Sequence, residues 1–103
     1  MRKVVVIGGG ASGMMASLTA SQNNKVILVE KNEKLGKKIY ITGKGRCNLS
    51  NYCDVNDFMK NVVRNNKFLY GSLNALSPSD TFDLFSELGL DLKIAFKDSM
   101  VNL

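Results

Sequence analysis

Residues 4–7, Val-Val-Val-Ile, form a short unbroken apolar run that stops at Gly8-Gly9-Gly10. A run this short and this rich in β-branched residues predicts a buried strand over 3–7. Residues 12–22 carry many small side chains and predict a helix that can lie close against a sheet, with Asn23-Asn24 ending it. Val26-Ile27-Leu28-Val29 repeats the pattern of the first run and predicts a second strand. Both strands are apolar at consecutive positions rather than alternate ones. The expectation is therefore a strand–helix–strand unit whose parallel strands are covered on both faces and joined by a right-handed crossover.

Residues 31–53 break this regularity. Gly36, Gly43, Gly45 and several Asn and Ser residues surround one brief apolar run, Ile39-Tyr40-Ile41, so the stretch reads as a loop. Asp54 is placed to cap a helix over about 55–64, with Phe58, Met59, Val62 and Val63 as its apolar stripe. A further helix is expected over about 66–75, burying Phe68, Leu69, Leu73 and Leu76. Ser77-Pro78-Ser79-Asp80 is a helix start, with Ser as cap, Pro in the first position and Asp three residues after Ser. Phe82, Leu84, Phe85 and Leu88 continue that helix and Gly89 closes it as a left-handed cap. Residues 90–96 alternate apolar and polar, which predicts a half-exposed strand.

Composition adds exclusions. The chain has 103 residues, a length for one domain with a modest core. It contains no His, which removes imidazole general-base catalysis and His-ligated metals. Cys47 and Cys53 alone cannot complete a tetrahedral zinc shell, so no metal site is expected. No run of eighteen residues is apolar enough to span a bilayer, and no membrane partner is expected. Met1-Arg2-Lys3 followed by an uncharged stretch imitates a signal peptide, but three glycines interrupt the would-be apolar helix. A cytoplasmic location with reduced thiols follows. The net charge is +5, and residues 31–46 account for all of it: Lys31, Lys34, Lys37, Lys38, Lys44 and Arg46 against Glu33. A local excess of that kind points to an anionic partner near the segment, or to a plain solvated loop of lysines.

Gly8-Gly9-Gly10-Ala11-Ser12-Gly13 matches G-x-G-x-x-G, a weak signal alone and a strong one between a strand and a helix. Gly8 allows the tight turn. Gly10 lets backbone approach a pyrophosphate, and Gly13 lets the helix pack closely on the sheet. The N–H groups that open the helix then face the phosphates. Glu30 ends the second strand, where a carboxylate accepts both hydroxyls of an adenosine ribose and repels a 2′-phosphate. The plain alternative for Glu30 is a surface acid beside Lys31 and Lys34. A dinucleotide is the expected ligand, and FAD and NAD satisfy Glu30 equally.

The segment 36–51, Gly-Lys-Lys-Ile-Tyr-Ile-Thr-Gly-Lys-Gly-Arg-Cys-Asn-Leu-Ser-Asn, is basic and rich in donors, suited to the rest of a cofactor's phosphates and its flavin end. Val-Glu-Lys at 29–31, Leu-Gly-Lys-Lys at 35–38 and Thr-Gly-Lys-Gly-Arg-Cys-Asn-Leu-Ser-Asn at 42–51 resemble the aminoacetone-oxidase-like, BaiN-type FAD-binding flavoproteins. The likeness runs on through Phe68-Leu69-Tyr70, Leu73-Asn74, Asp80-Thr81 and Glu87-Leu88-Gly89, to about residue 94. It implies a Rossmann-like α/β fold and an oxidoreductase that binds FAD, with NAD(P)H a candidate reductant in the intact protein. Carried over by residue, Gly8, Gly10, Ala11, Ser12 and Gly13 hold the pyrophosphate, Glu30 the adenosine ribose, and Lys31 lies beside the adenine. Lys38, Thr42, Gly43, Gly45, Arg46, Cys47 and Asn48 lie near the ribityl–flavin end.

Such flavoproteins are two-domain enzymes several times this length, and they continue into a Gly-Arg-aromatic-Pro segment. This chain reads Ala95-Phe96-Lys97-Asp98-Ser99-Met100-Val101-Asn102-Leu103 instead. The expectation is thus an N-terminal part of the cofactor domain, residues 1–103, with the substrate domain absent. No residue stands out as a catalytic acid or base, so this part is not expected to be a complete enzyme. A small basic nucleic-acid-binding module is the alternative from another class. It lacks a reader motif, and Tyr40 and Tyr52 are too few for a stacking platform, so no nucleic-acid partner is expected. Cys47 and Cys53 form either a redox dithiol at an unusual spacing or, more simply, a motif residue and an unrelated thiol.

Overall fold

A computed structural model describes residues 1–42, 47–95 and 100–102. They fall into two compact units, one within 1–45 and the other within 46–103.

The first unit opens with β1 (Lys3–Ile7), α1 (Ala11–Ala20) and β2 (Lys25–Val29). β1 and β2 pair in parallel from Lys3 opposite Lys25 to Ile7 opposite Val29. The Gly8 N–H donates to the Val29 carbonyl at 2.8 Å, carrying the ladder one residue into the glycine turn. Gly8 has a φ of +100°, which glycine adopts without strain. The turn swings the chain into α1, and the third glycine then becomes decisive. A Cβ on Gly13 would collide with the Gly8 carbonyl oxygen and lie 2.9 Å from its carbon, so the helix can start over the turn only without a side chain there.

The sheet is covered on one face, where Val4, Val6, Val26 and Leu28 are half-buried. The other face is open: Val5, Ile7, Ile27 and Val29 are 58, 86, 45 and 48% exposed. The expectation of cover on both faces is therefore corrected. α1, ten residues long, is the helix packed against the pair, and one helix covers one side.

The basic stretch is more structured than a loop. Lys37–Ile41 form a short helix, α2, which brings Ile39-Tyr40-Ile41 into a helical turn. Its lead-in is tied back to the glycine turn, because the Gly36 N–H donates to the Gly9 carbonyl at 2.7 Å.

The second unit contains β3 (Asn48–Asn51), α3 (Val55–Lys60), a 3-10 turn (Asn66–Leu69), α4 (Tyr70–Ala75), α5 (Pro78–Glu87), β4 (Lys93–Ile94) and β5 (Met100–Asn102). Asp54 caps α3 as expected, accepting from the Asp57 N–H at 2.8 Å. The helix ends near Lys60, however, and Val63, assigned to its apolar stripe, is 97% exposed. The helix expected over 66–75 divides into the 3-10 turn and α4. That division turns Phe68 outward, to 86% exposure, and leaves Leu76 exposed too.

Ser77 and Asp80 form a reciprocal capping box: the Asp80 N–H donates to Ser77 Oγ at 3.1 Å, and the Ser77 N–H to Asp80 Oδ2 at 3.0 Å. At the other end of α5, Gly89 has a φ of +98°. Its N–H donates to Ser86 and that of Leu90 to Phe85, the Schellman arrangement. Tyr52 meets Phe82 edge-to-face at 5.3 Å, seating α5 beside the end of β3.

The expected strand over 90–96 is reduced to Lys93–Ile94, and Phe96 lies outside the described residues. β5, unanticipated, is the middle strand of an antiparallel sheet ordered β3-β5-β4. Val101 lies opposite Ser50 on one side and Ile94 on the other, and it alone among the described apolar side chains is fully enclosed.

Two substitutions, with a third as control, test these contacts. Gly13→Ala should lower stability to urea by about 1–3 kcal/mol, because the methyl group has no room. Gly71→Ala in α4 is the control: its Cβ meets nothing within 4 Å, so stability should hold or rise. Ser77→Ala should cost about 1 kcal/mol and lower helix content in circular dichroism as α5 loses its cap.

Candidate functional site

Parallel strands end on the same edge, so the turn after β1 and the acid after β2 become neighbours although 21 residues separate Gly9 from Glu30. Glu30 Oε1 accepts from the Gly9 N–H at 2.8 Å. Its Oε2 accepts from the Asn32 N–H at 2.8 Å and from Asn32 Nδ2 at 2.9 Å. The carboxylate thus bridges the glycine turn and the end of β2. Its pKa is held below the ordinary value by the Asn32 and Gly9 backbone donors, which outweigh the opposing effect of burial, with lesser help from the Asn32 amide and the Lys31 charge.

Of the two lysines beside Glu30 in the plain alternative, Lys31 acts on the carboxylate through its charge. Lys34 Nζ stands 5.5 Å from the centre of the Tyr40 ring. The one salt bridge among the described residues joins Lys60 to Asp57.

A cavity of about 260 Å3 opens at this edge, lined by Gly9, Gly10, Glu30, Asn32, Lys37, Lys38 and Ile41. A Cβ added to Gly10 would point into open space, leaving the main chain bare toward the cavity. Gly10 precedes α1 without a side-chain cap, so the first N–H groups of the helix, on Ala11, Ser12 and Gly13, keep no intrahelical partner. Bare backbone, free donors and the positive end of a ten-residue helix suit a diphosphate. An oriented carboxylate on the same cavity suits a ribose. The residues present fit the adenosine diphosphate half of a dinucleotide.

The remaining candidates are distributed as follows. Lys38 lines the same cavity as Glu30. Lys31 is exposed beside the carboxylate. Thr42 follows α2, its hydroxyl donating to the Ile39 carbonyl at 3.4 Å. Cys47 and Asn48 belong to the second unit, Asn48 opposite Asn102 in the sheet. Gly43, Gly45 and Arg46, with Lys44 of the basic cluster, lie outside the described residues. Both cysteines are free thiols. Burial, with Asp57 and Asp54 nearby, pushes the Cys53 thiol up, the opposite of what a reactive thiolate requires.

Sequence reading missed Gly9, the variable position of the glycine motif, and Asn32. The available signal was a donor two residues beyond the strand-ending acid, within reach of its carboxylate.

The sequence family described as the HI0933-like protein Rossmann domain matches residues 2–101. The chain belongs to that family. The match runs past residue 94, where the likeness was expected to stop, and takes in most of β5. The HI0933-like chain is 36% identical to the 3-dehydro-bile acid delta(4,6)-reductase of Clostridium scindens over 90% of its length and 23% of the relative's. It is 33% identical to the ribosomal RNA dihydrouridine synthase of Escherichia coli, covering 84% of itself and 21% of that protein. A shorter stretch of 41 residues is 49% identical to the NADH oxidase of Thermoanaerobacter brockii. The chain spans under a quarter of the length of these curated relatives. It is a Rossmann-type dinucleotide-binding domain of a flavin-type oxidoreductase family.

The Glu30 bridge gives a pH signature. Because its folded pKa is depressed, its contribution is fully present above the ordinary value of 4.5 and disappears as pH falls through the folded value. Glu30→Gln should therefore unfold in less urea than the wild type at pH 7. The gap should close as pH drops below 4.5, and a gap unchanged down to pH 2 would contradict the bridge.

Proposed function

We propose that this chain is the FAD-binding, N-terminal part of a flavin-dependent oxidoreductase, binding the adenosine diphosphate half of the cofactor in its first unit. The observation that carries this reading is the Glu30 carboxylate, drawn by hydrogen bonds to Gly9 and Asn32 onto the cavity where Gly10 leaves the backbone bare. In this reading Gly8 and Gly13 shape the turn, while Gly10 and the amides of Ala11, Ser12 and Gly13 receive the diphosphate. Glu30 takes the ribose, and Lys31 lies beside the adenine. Lys37 and Lys38, on the cavity wall, offset phosphate charge. Thr42, Gly43, Gly45, Arg46, Cys47 and Asn48 are proposed for the ribityl–flavin end by their motif.

The bound flavin supplies the redox chemistry, and the residues of this chain bind and orient it. The remainder of the family fold would complete the flavin pocket and supply the substrate domain. NAD(P)H is the reductant proposed for the whole protein, and the cytoplasm its location. The basic stretch is read as a cofactor loop rather than a nucleic-acid footprint. The Tyr52 ring beyond the stretch is edge-to-face with Phe82, and the Tyr40 ring within it lies under Lys34. Substrate identity is not carried over, because the relatives are named for a bile acid and for ribosomal RNA.

Titration of the chain with FAD, read by flavin fluorescence, should show weak saturable binding that ADP reverses. ADP should perturb the backbone amide signals of Gly9, Gly10 and Asn32 in nitrogen-15 spectra. Stoichiometric FAD binding at micromolar concentration would contradict an incomplete flavin pocket. Silence of those amides at millimolar ADP would contradict the adenosine site, and stronger binding of NAD than of FAD would contradict the choice of flavin.

A further inference from the structure

A carboxylate has about four lone-pair positions on its two oxygens. In Glu30 three of them are taken: one on Oε1 by the Gly9 N–H, and both on Oε2 by the N–H and Nδ2 of Asn32. One acceptor position is left. The adenosine ribose of the proposed ligand brings two hydroxyl donors, so the count fails by one. Either the ribose is held by a single hydroxyl, or a donor now in place gives way.

The three donors differ in their freedom to leave. Gly9 is buried, and its neighbourhood is pinned by the Gly8 bond to Val29 and the Gly36 bond to its own carbonyl. Turning its N–H away would strand a buried donor. The Asn32 N–H belongs to the main chain leaving β2, and moving it means moving that backbone. The Asn32 amide hangs on rotatable bonds from a half-buried residue and already lines the cavity. It can swing into that cavity without disturbing the backbone, and there it remains able to hydrogen-bond with the incoming sugar.

We propose that Asn32 is a specificity-determining residue for the adenosine ribose: its Nδ2 holds the position on Glu30 Oε2 that the second ribose hydroxyl requires, and yields it when the nucleotide binds. The inference rests on the dinucleotide reading of the same cavity. Without a nucleotide the amide helps to hold the carboxylate in place. With one, its release offsets part of the gain from the second hydroxyl. A sugar with one hydroxyl uses the free position on Oε1 and leaves the amide where it is.

The test compares ADP with 2′-deoxy-ADP on the full chain and on Asn32→Ala, with affinities measured by nitrogen-15 chemical-shift titration. In the variant the Oε2 position is vacant beforehand, so ADP should bind about three- to tenfold more tightly, the scale of one ordinary net hydrogen bond in water. Affinity for 2′-deoxy-ADP should not change, so the preference for ADP should widen by the same factor. In the wild type, ADP should shift the side-chain NH2 signals of Asn32 while 2′-deoxy-ADP leaves them in place, a readout that does not need the variant to fold. Equal weakening of both nucleotides in Asn32→Ala, unchanged affinity for both, or an Asn32 amide indifferent to ADP would overturn the proposal. Failure of the wild type to bind either nucleotide would instead overturn the dinucleotide reading beneath it.

Discussion

Parallel pairing of β1 with β2 is the constraint from which the first unit follows. Two parallel strands cannot be joined by a tight turn, so the chain must cross back over the sheet before the second begins. The 17 residues between Ile7 and Lys25 make that crossing as α1. Both strands then finish at the same edge, and the helix starts there too. A glycine turn, a helix N-terminus and a strand-ending acid meet in one place for reasons of topology alone. Chemistry decides only which residues occupy it.

Glycine is required there by packing as well as by any ligand. The turn at Gly8 needs a positive φ, and the approach of α1 needs a residue without a side chain at Gly13. These two demands bring the Gly9 N–H to face β2, where Glu30 receives it. The carboxylate has a structural task before it has a functional one: it closes the gap between two strand ends that would otherwise leave a buried donor unsatisfied.

Local chemistry was legible in the sequence wherever one short stretch supplies both partners of an interaction. The Asp54 cap, the Ser77–Asp80 box, the Gly89 ending and the glycine turn all close within a few residues. The two parallel strands were legible because a continuous β-branched run has few other uses. What was not legible depends on residues distant in sequence. Asn48-Leu49-Ser50-Asn51 carries no strand pattern of its own and becomes β3 by pairing with residues 100–102, through an irregularity between Asn48 and Ser50. Val63 lies beyond the end of the helix whose apolar stripe it fits, and Phe68 sits in a 3-10 turn rather than in the α-helix expected there. Asn32 looks like any polar residue after a strand, and only the folded carboxylate gives it a role.

The open face of the β1–β2 pair has a consequence for the chain as a colloid. Val5, Ile7, Ile27 and Val29 present apolar surface to water, and each strand of a two-stranded sheet also has a free edge. Two copies that meet through such faces gain by excluding water, while a net charge of +5 on each holds them apart. That repulsion reaches only about 8 Å in physiological salt, whereas the apolar attraction acts at contact and is not screened. Ionic strength should therefore govern whether the chain stays dispersed, through a surface that contributes no residue to the cavity beside Glu30.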